Sequence, residues 1–116
     1  MSPVRVLIAH SLNLYASSLA GLLQEIRPAL DIERVEYDDL GDRLSATPGT
    51  LVIADRTSDV IDQRAGACIL YYPDQRNVAI VRSGSTSGST PRTIENPAWE
   101  DMLSAIDSVV AGIAAQ

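Results

Sequence analysis

The sequence predicts an α/β fold: a doubly wound sheet of about five strands, the last two forming an antiparallel hairpin, closed by a C-terminal helix. Three observations predict it. Val4 to Ala9 is a nearly unbroken apolar run, as expected of a strand covered on both faces. Strand and helix periodicities then alternate through the first half of the chain. In the second half, two apolar runs are separated only by Pro73-Asp74-Gln75-Arg76-Asn77, far too few residues for a parallel crossover.

After the first strand, Leu12, Tyr15, Leu19, Leu22, Leu23 and Ile26 recur at spacings of three and four, one apolar stripe of a helix. Ser11 or Asn13 caps its start and Pro28 marks its end. Ile32 to Tyr37 reads as a second strand, with Ile32, Val35 and Tyr37 as its apolar positions. Asp38 and Asp39 open a short helix containing Gly41 and Leu44, which stops at Pro48-Gly49. Thr50 to Ala54 is a third, buried strand ending at Asp55. The hairpin strands are Ala67 to Tyr72 and Val78 to Arg82. Ser83 to Thr93, rich in Ser, Gly and Thr, reads as a flexible connector, since it lacks the Gly-Lys-Ser/Thr ending of a phosphate-binding loop. Asn96 then caps a closing helix with Pro97 in its first turn, and Trp99, Met102, Leu103, Ile106, Val109, Val110 and Ile113 form its core face.

The 116 residues make one domain, 1–116, with no internal repeat and no linker. The net charge of -6 and nine arginines scattered singly argue against a nucleic-acid backbone as partner. No apolar run reaches membrane-spanning length, and Met-Ser-Pro-Val-Arg leads into a strand rather than a signal peptide. A single cysteine, Cys68, fits a small core residue in a reducing compartment, so the expected location is cytoplasmic. Glu33, Glu36, Asp38 and Asp39 read as a solvated rim.

The run VRVLIAHSLNLYASSLAGLL, Val4 to Leu23, resembles the opening of bacterial response-regulator receiver domains. Leu51-Val52-Ile53-Ala54-Asp55 resembles the third strand of that family, which ends on the phosphoacceptor aspartate. The resemblance covers the first half of the chain and implies a receiver-like, flavodoxin-like sheet. It also implies a site. Two acidic residues after the first strand would hold magnesium, a cation that takes carboxylate oxygens, and here those positions are His10 and Ser11. A hydroxyl-bearing residue after the fourth strand and a lysine after the fifth would read the phosphoryl group. Tyr72 and Arg82 are the nearest counterparts, and the chain has no lysine.

The resemblance therefore implies a pseudo-receiver: not an enzyme, needing no cofactor or metal, and serving as a regulatory or protein-interaction module independent of aspartyl phosphorylation. Its partner is another protein or a second copy, engaged through the outer hairpin strand as a sheet edge, with Asp74, Gln75, Arg76 and Asn77 at the polar tip. The alternative is a phosphoryl-accepting domain using Asp55 or His10. Asp55 also suits a plain turn or capping role, and Asp59 and Asp62 offer a makeshift cation site. His10 sits in an Ile-x-x-His-Ser-like setting similar to that of mannose-type phosphotransferase carriers, where neutral imidazole accepts phosphate. A third reading is small-molecule binding above the strand ends, near His10, Asp55 and Tyr72.

Overall fold

The computed structural model describes residues 4–10, 13–46, 50–56, 67–72, 78–83 and 92–114. In chain order these form β1 (Arg5–Ala9), α1 (Asn13–Ile26), β2 (Asp31–Arg34), a 3-10 turn (Tyr37–Asp39), α2 (Leu40–Ala46), β3 (Leu51–Ala54), β4 (Ala67–Tyr72), β5 (Val78–Ser83), β6 (Arg92–Glu95) and α3 (Trp99–Ala114). The strands make one mixed sheet in the order β2-β1-β3-β4-β5-β6. β1 pairs in parallel with β2 and β3, and β3 with β4. β4 and β5 are antiparallel, as the short separation requires, with Tyr72 opposite Val78 and Cys68 opposite Arg82.

Side chains alternate strictly between two cores, because successive strand residues point to opposite faces. Val6, Ile8, Leu51, Ile53, Ile69 and Val81 pack with Leu19, Leu23, Met102 and Ile106 of α1 and α3. Leu7, Ala9, Val52, Ala54, Cys68 and Leu70 pack with Leu40 and Leu44 of α2 on the other side. This double covering explains why β1 after Arg5, and all of β3, read as apolar runs. Each large buried side chain stabilises the fold by about 1.5–3 kcal/mol.

Several expectations need correction. The sheet has six strands among the described residues, not about five. Arg92 and Thr93, expected in the connector, belong to β6, which pairs antiparallel with β5 through Val78↔Glu95 to Val81↔Arg92. The pairing satisfies backbone groups that β5 would otherwise expose, and Ile94 packs against the α1/α3 core. The outer hairpin strand is consequently not a sheet edge; β2 and β6 are.

The buried face of α1 runs through Ala16, Leu19 and Leu23, while Leu22 and Ile26 are 44% and 37% exposed. The sheet accepts one narrow helical stripe, and Ala16 lets the helix approach it closely. At the other helix, α3 starts at Trp99, after Pro97 instead of with it. Asp101 Oδ2 accepts from the Ala98 N–H at 3.0 Å, the reach-back half of a capping box, while Asn96 makes a left-handed corner with φ 48°. Trp99 is half-buried against the core that holds Met102. Finally, Glu33 is not merely solvated: its carboxylate is shared between Arg5 at 3.1 Å and Arg43 at 3.0 Å.

Candidate functional site

Parallel strands direct their carboxyl ends to one rim, and the strand order reverses around β1, which has β2 on one side and β3 on the other. Ligands bind at this kind of crevice in open α/β sheets. Here it is a cleft of about 480 Å³. Ile8, Ala9 and His10 bring the end of β1 to it, Arg34 to Tyr37 the end of β2, Asp39 and Arg43 the following helical segment, and Arg56 the end of β3. The bond from the Val35 N–H to the Ile8 carbonyl, 3.0 Å, holds the β2 exit against β1.

Asp55 stands beside this cleft with a fixed partner. The Tyr37 hydroxyl donates to Asp55 Oδ1 at 2.5 Å and accepts from the Asp55 backbone N–H at 3.1 Å. The two contacts clip the phenol to both the side chain and the main chain of one residue. Burial, reinforced by the hydrogen bond to the Asp55 carboxylate, pushes the Tyr37 phenol up to about 12. The hydroxyl therefore stays a donor across the physiological range. The Arg56 guanidinium lies over the Tyr37 ring, 3.9 Å from its centre, an arrangement favoured by the negative ring face.

His10 is buried, 8% exposed, directly after β1. Its Nε2 lies 3.1 Å from the Tyr71 carbonyl oxygen, which can only accept, so Nε2 carries the proton and donates. The two rings sit 6.4 Å apart, tilted by 45°. This bond ties the end of β1 to β4 across the end of β3.

Of the residues singled out from sequence, His10 and Asp55 share the carboxyl rim. Tyr72 ends β4 on that same rim by register, opposite Val78. Arg82 does not join them. Because β5 runs antiparallel, Arg82 lies opposite Cys68, whose β3 partner is Val52, toward the amino ends of the parallel strands. Its expected role as a counterpart of the family's lysine is thereby corrected. Ser11, Asp59, Asp62, the tip Asp74, Gln75, Arg76 and Asn77, and most of the Ser/Gly-rich connector lie outside the described residues.

Sequence reasoning missed Tyr37 as the partner of Asp55, and it missed the convergence of Arg34, Arg43 and Arg56. The signal for Tyr37 is its place at the carboxyl end of the second strand as read from sequence, next to the reversal in strand order. Among the described residues, no group of three or more His, Cys, Asp or Glu side chains is arranged to hold a metal ion. Also among them, no helix is long and apolar enough to cross a membrane. Compared with protein-family models, with curated proteins and with solved structures, the chain finds no match in any of the three.

Proposed function

We propose that this chain is a receiver-like regulatory module, non-catalytic and independent of aspartyl phosphorylation, that acts in the cytoplasm by engaging another protein or a second copy of itself. The observation that carries the reading is the double clip between Tyr37 and Asp55. A phosphoacceptor carboxylate must present a free oxygen to the incoming phosphorus, with cations positioned to absorb the developing charge. Here one carboxylate oxygen accepts a short bond from a neutral phenol. The residue after β1, where the family carries an acid, is a buried histidine.

The strand order supports the receiver-like part of the reading. Its first five strands follow the 2-1-3-4-5 order of flavodoxin-like sheets. Two departures, the antiparallel β5 and the added β6, replace the last crossover of that fold and remodel the face beside it. Backbone edges for a partner are then at β2 and β6. In the His10 alternative, donation from Nε2 to the Tyr71 carbonyl would make Nδ1 the nitrogen that takes phosphate.

Intact mass after incubation with acetyl phosphate and magnesium tests the proposal, with Asp55→Asn and His10→Gln alongside. The expected result is no phosphate adduct. An adduct lost in Asp55→Asn restores a working receiver, and one lost only in His10→Gln restores a histidine carrier; either overturns the proposal.

A further inference from the structure

Three of the nine arginines of this acidic chain meet at one cleft. Each is steered by a neighbour. Arg34 Nη1 donates to the Ser17 hydroxyl at 2.7 Å. Arg43 is 3.0 Å from Glu33, whose single negative charge is shared with Arg5. The Arg56 guanidinium is held over the Tyr37 ring, 3.9 Å from its centre. Holding these long side chains in place before binding lowers the entropic cost of ordering them around a ligand.

Glu36 and Asp39 line the same cleft. This mixture decides the ligand. A bare inorganic anion gains from the guanidiniums but faces two carboxylates. A neutral polyol satisfies the carboxylates, which accept from hydroxyls, yet draws little from the positive charge of three guanidiniums. A molecule carrying both groups satisfies both sets, since the guanidinium fork matches phosphate oxygens and the carboxylates take vicinal hydroxyls. The volume, about 480 Å³, lies within the range of about 300–1,000 Å³ usual for small-molecule sites.

We propose that the cleft between the ends of β1, β2 and β3 binds a small phosphorylated polyol, its phosphate on Arg34, Arg43 and Arg56 and its hydroxyls on Glu36 and Asp39. The occupant would lie against the Tyr37 ring and beside His10, so binding is read out next to the Tyr37 and Asp55 clip. The inference goes beyond the interaction-module reading and does not depend on whether Asp55 takes up phosphate.

Calorimetric and NMR titrations of the full chain with ribose 5-phosphate test it, with ribose, ribonate and inorganic phosphate as separate arms. Ribose 5-phosphate should bind saturably, shift the amides of His10, Glu36, Tyr37 and Arg56, and bind about tenfold or more tighter than each other probe. Arg43→Gln and Arg56→Gln, both at exposed positions, should each weaken it about tenfold, whereas Arg92→Gln on β6 should not. Absence of saturable binding, or binding indifferent to both cleft arginines, overturns the proposal. Equal affinity for ribonate overturns the phosphate assignment, and equal affinity for inorganic phosphate overturns the polyol one. A cleft variant that fails a circular-dichroism check for folding is replaced by Glu36→Gln, which should weaken ribose 5-phosphate while leaving inorganic phosphate no weaker.

Discussion

The Tyr37 hydroxyl donates to Asp55 Oδ1 and accepts from the Asp55 N–H, joining the exit of β2 to the exit of β3 across the end of β1. Removing that hydroxyl takes one partner from each of two polar groups of one half-buried residue. Tyr37→Phe should therefore destabilise the fold by about 1–2 kcal/mol, measured by urea denaturation. The ring and its Arg56 stack survive the change, so the loss reports the hydroxyl alone. A variant as stable as the parent would mean the clip is dispensable and Asp55 is already accessible to water.

The same contact gives a stability dependence at high pH. The folded-state phenol is raised to about 12 from an ordinary value of 10.0, by burial first and the Asp55 hydrogen bond second. The folded state thus holds this proton more tightly than the unfolded chain, so the stabilisation is complete below pH 10 and declines as pH rises toward 12. Ultraviolet titration of tyrosinate should show a late step from Tyr37. In Tyr37→Phe that late step should vanish, together with its share of the alkaline loss of stability. Persistence of the step would assign it to another tyrosine.

What the sequence disclosed follows from which physical signals are local. β1 and β3 are legible because burial on both faces leaves Val6 to Ala9 and Leu51 to Ala54 wholly apolar. The antiparallel β4 and β5 are legible because chain length alone forbids a crossover. β6 is not, since Arg-Thr-Ile-Glu holds one apolar residue and follows a Ser/Gly/Thr-rich segment; its ladder comes from the waiting edge of β5. His10 and Asp55 could be placed at the carboxyl rim from strand order. Tyr37 reads as an apolar strand position, and no neighbour in the sequence reveals that its hydroxyl meets Asp55, eighteen residues on. The arginines look scattered for the same reason: only parallel packing of β1, β2 and β3 gathers Arg34, Arg43 and Arg56.

Arg27, just past the end of α1, grips Asp107 of α3 with two parallel bonds of 2.9 and 2.8 Å. The hydrogen bonds from the guanidinium hold the Asp107 carboxyl below its ordinary 3.8 and outweigh a small opposing effect of burial. A depressed folded-state value stabilises above the unfolded value and is lost as pH falls through the folded one. Both side chains are well exposed, 39% and 43%, so the contribution is small and screened by salt. Arg27→Gln should raise the Asp107 value, followed by carboxyl-carbon NMR, and the stability gap from the parent should close below about pH 3.8. An unmoved Asp107 would show that the two helices are held by their apolar contacts alone.

The corner between β6 and α3 turns on Asn96, the described non-glycine residue with a positive φ, 48°. Asparagine visits this left-handed region more readily than alanine because its side chain bonds locally, while glycine enters it without a steric cost. Asn96→Ala should cost about 1 kcal/mol, whereas Asn96→Gly should fall within about 0.5 kcal/mol of the parent, its backbone freedom in the unfolded chain offsetting the relief of strain. The corner also sets where α3 begins, with the Asp101 carboxylate holding the Ala98 N–H at 3.0 Å. Asp101→Ala should cost about another 1 kcal/mol through that lost cap. Because the two residues act on one short segment, the double variant Asn96→Ala/Asp101→Ala should cost less than the sum of its parts. Equal losses for alanine and glycine at position 96, measured by thermal and urea unfolding, would remove backbone conformation as the reason for asparagine there.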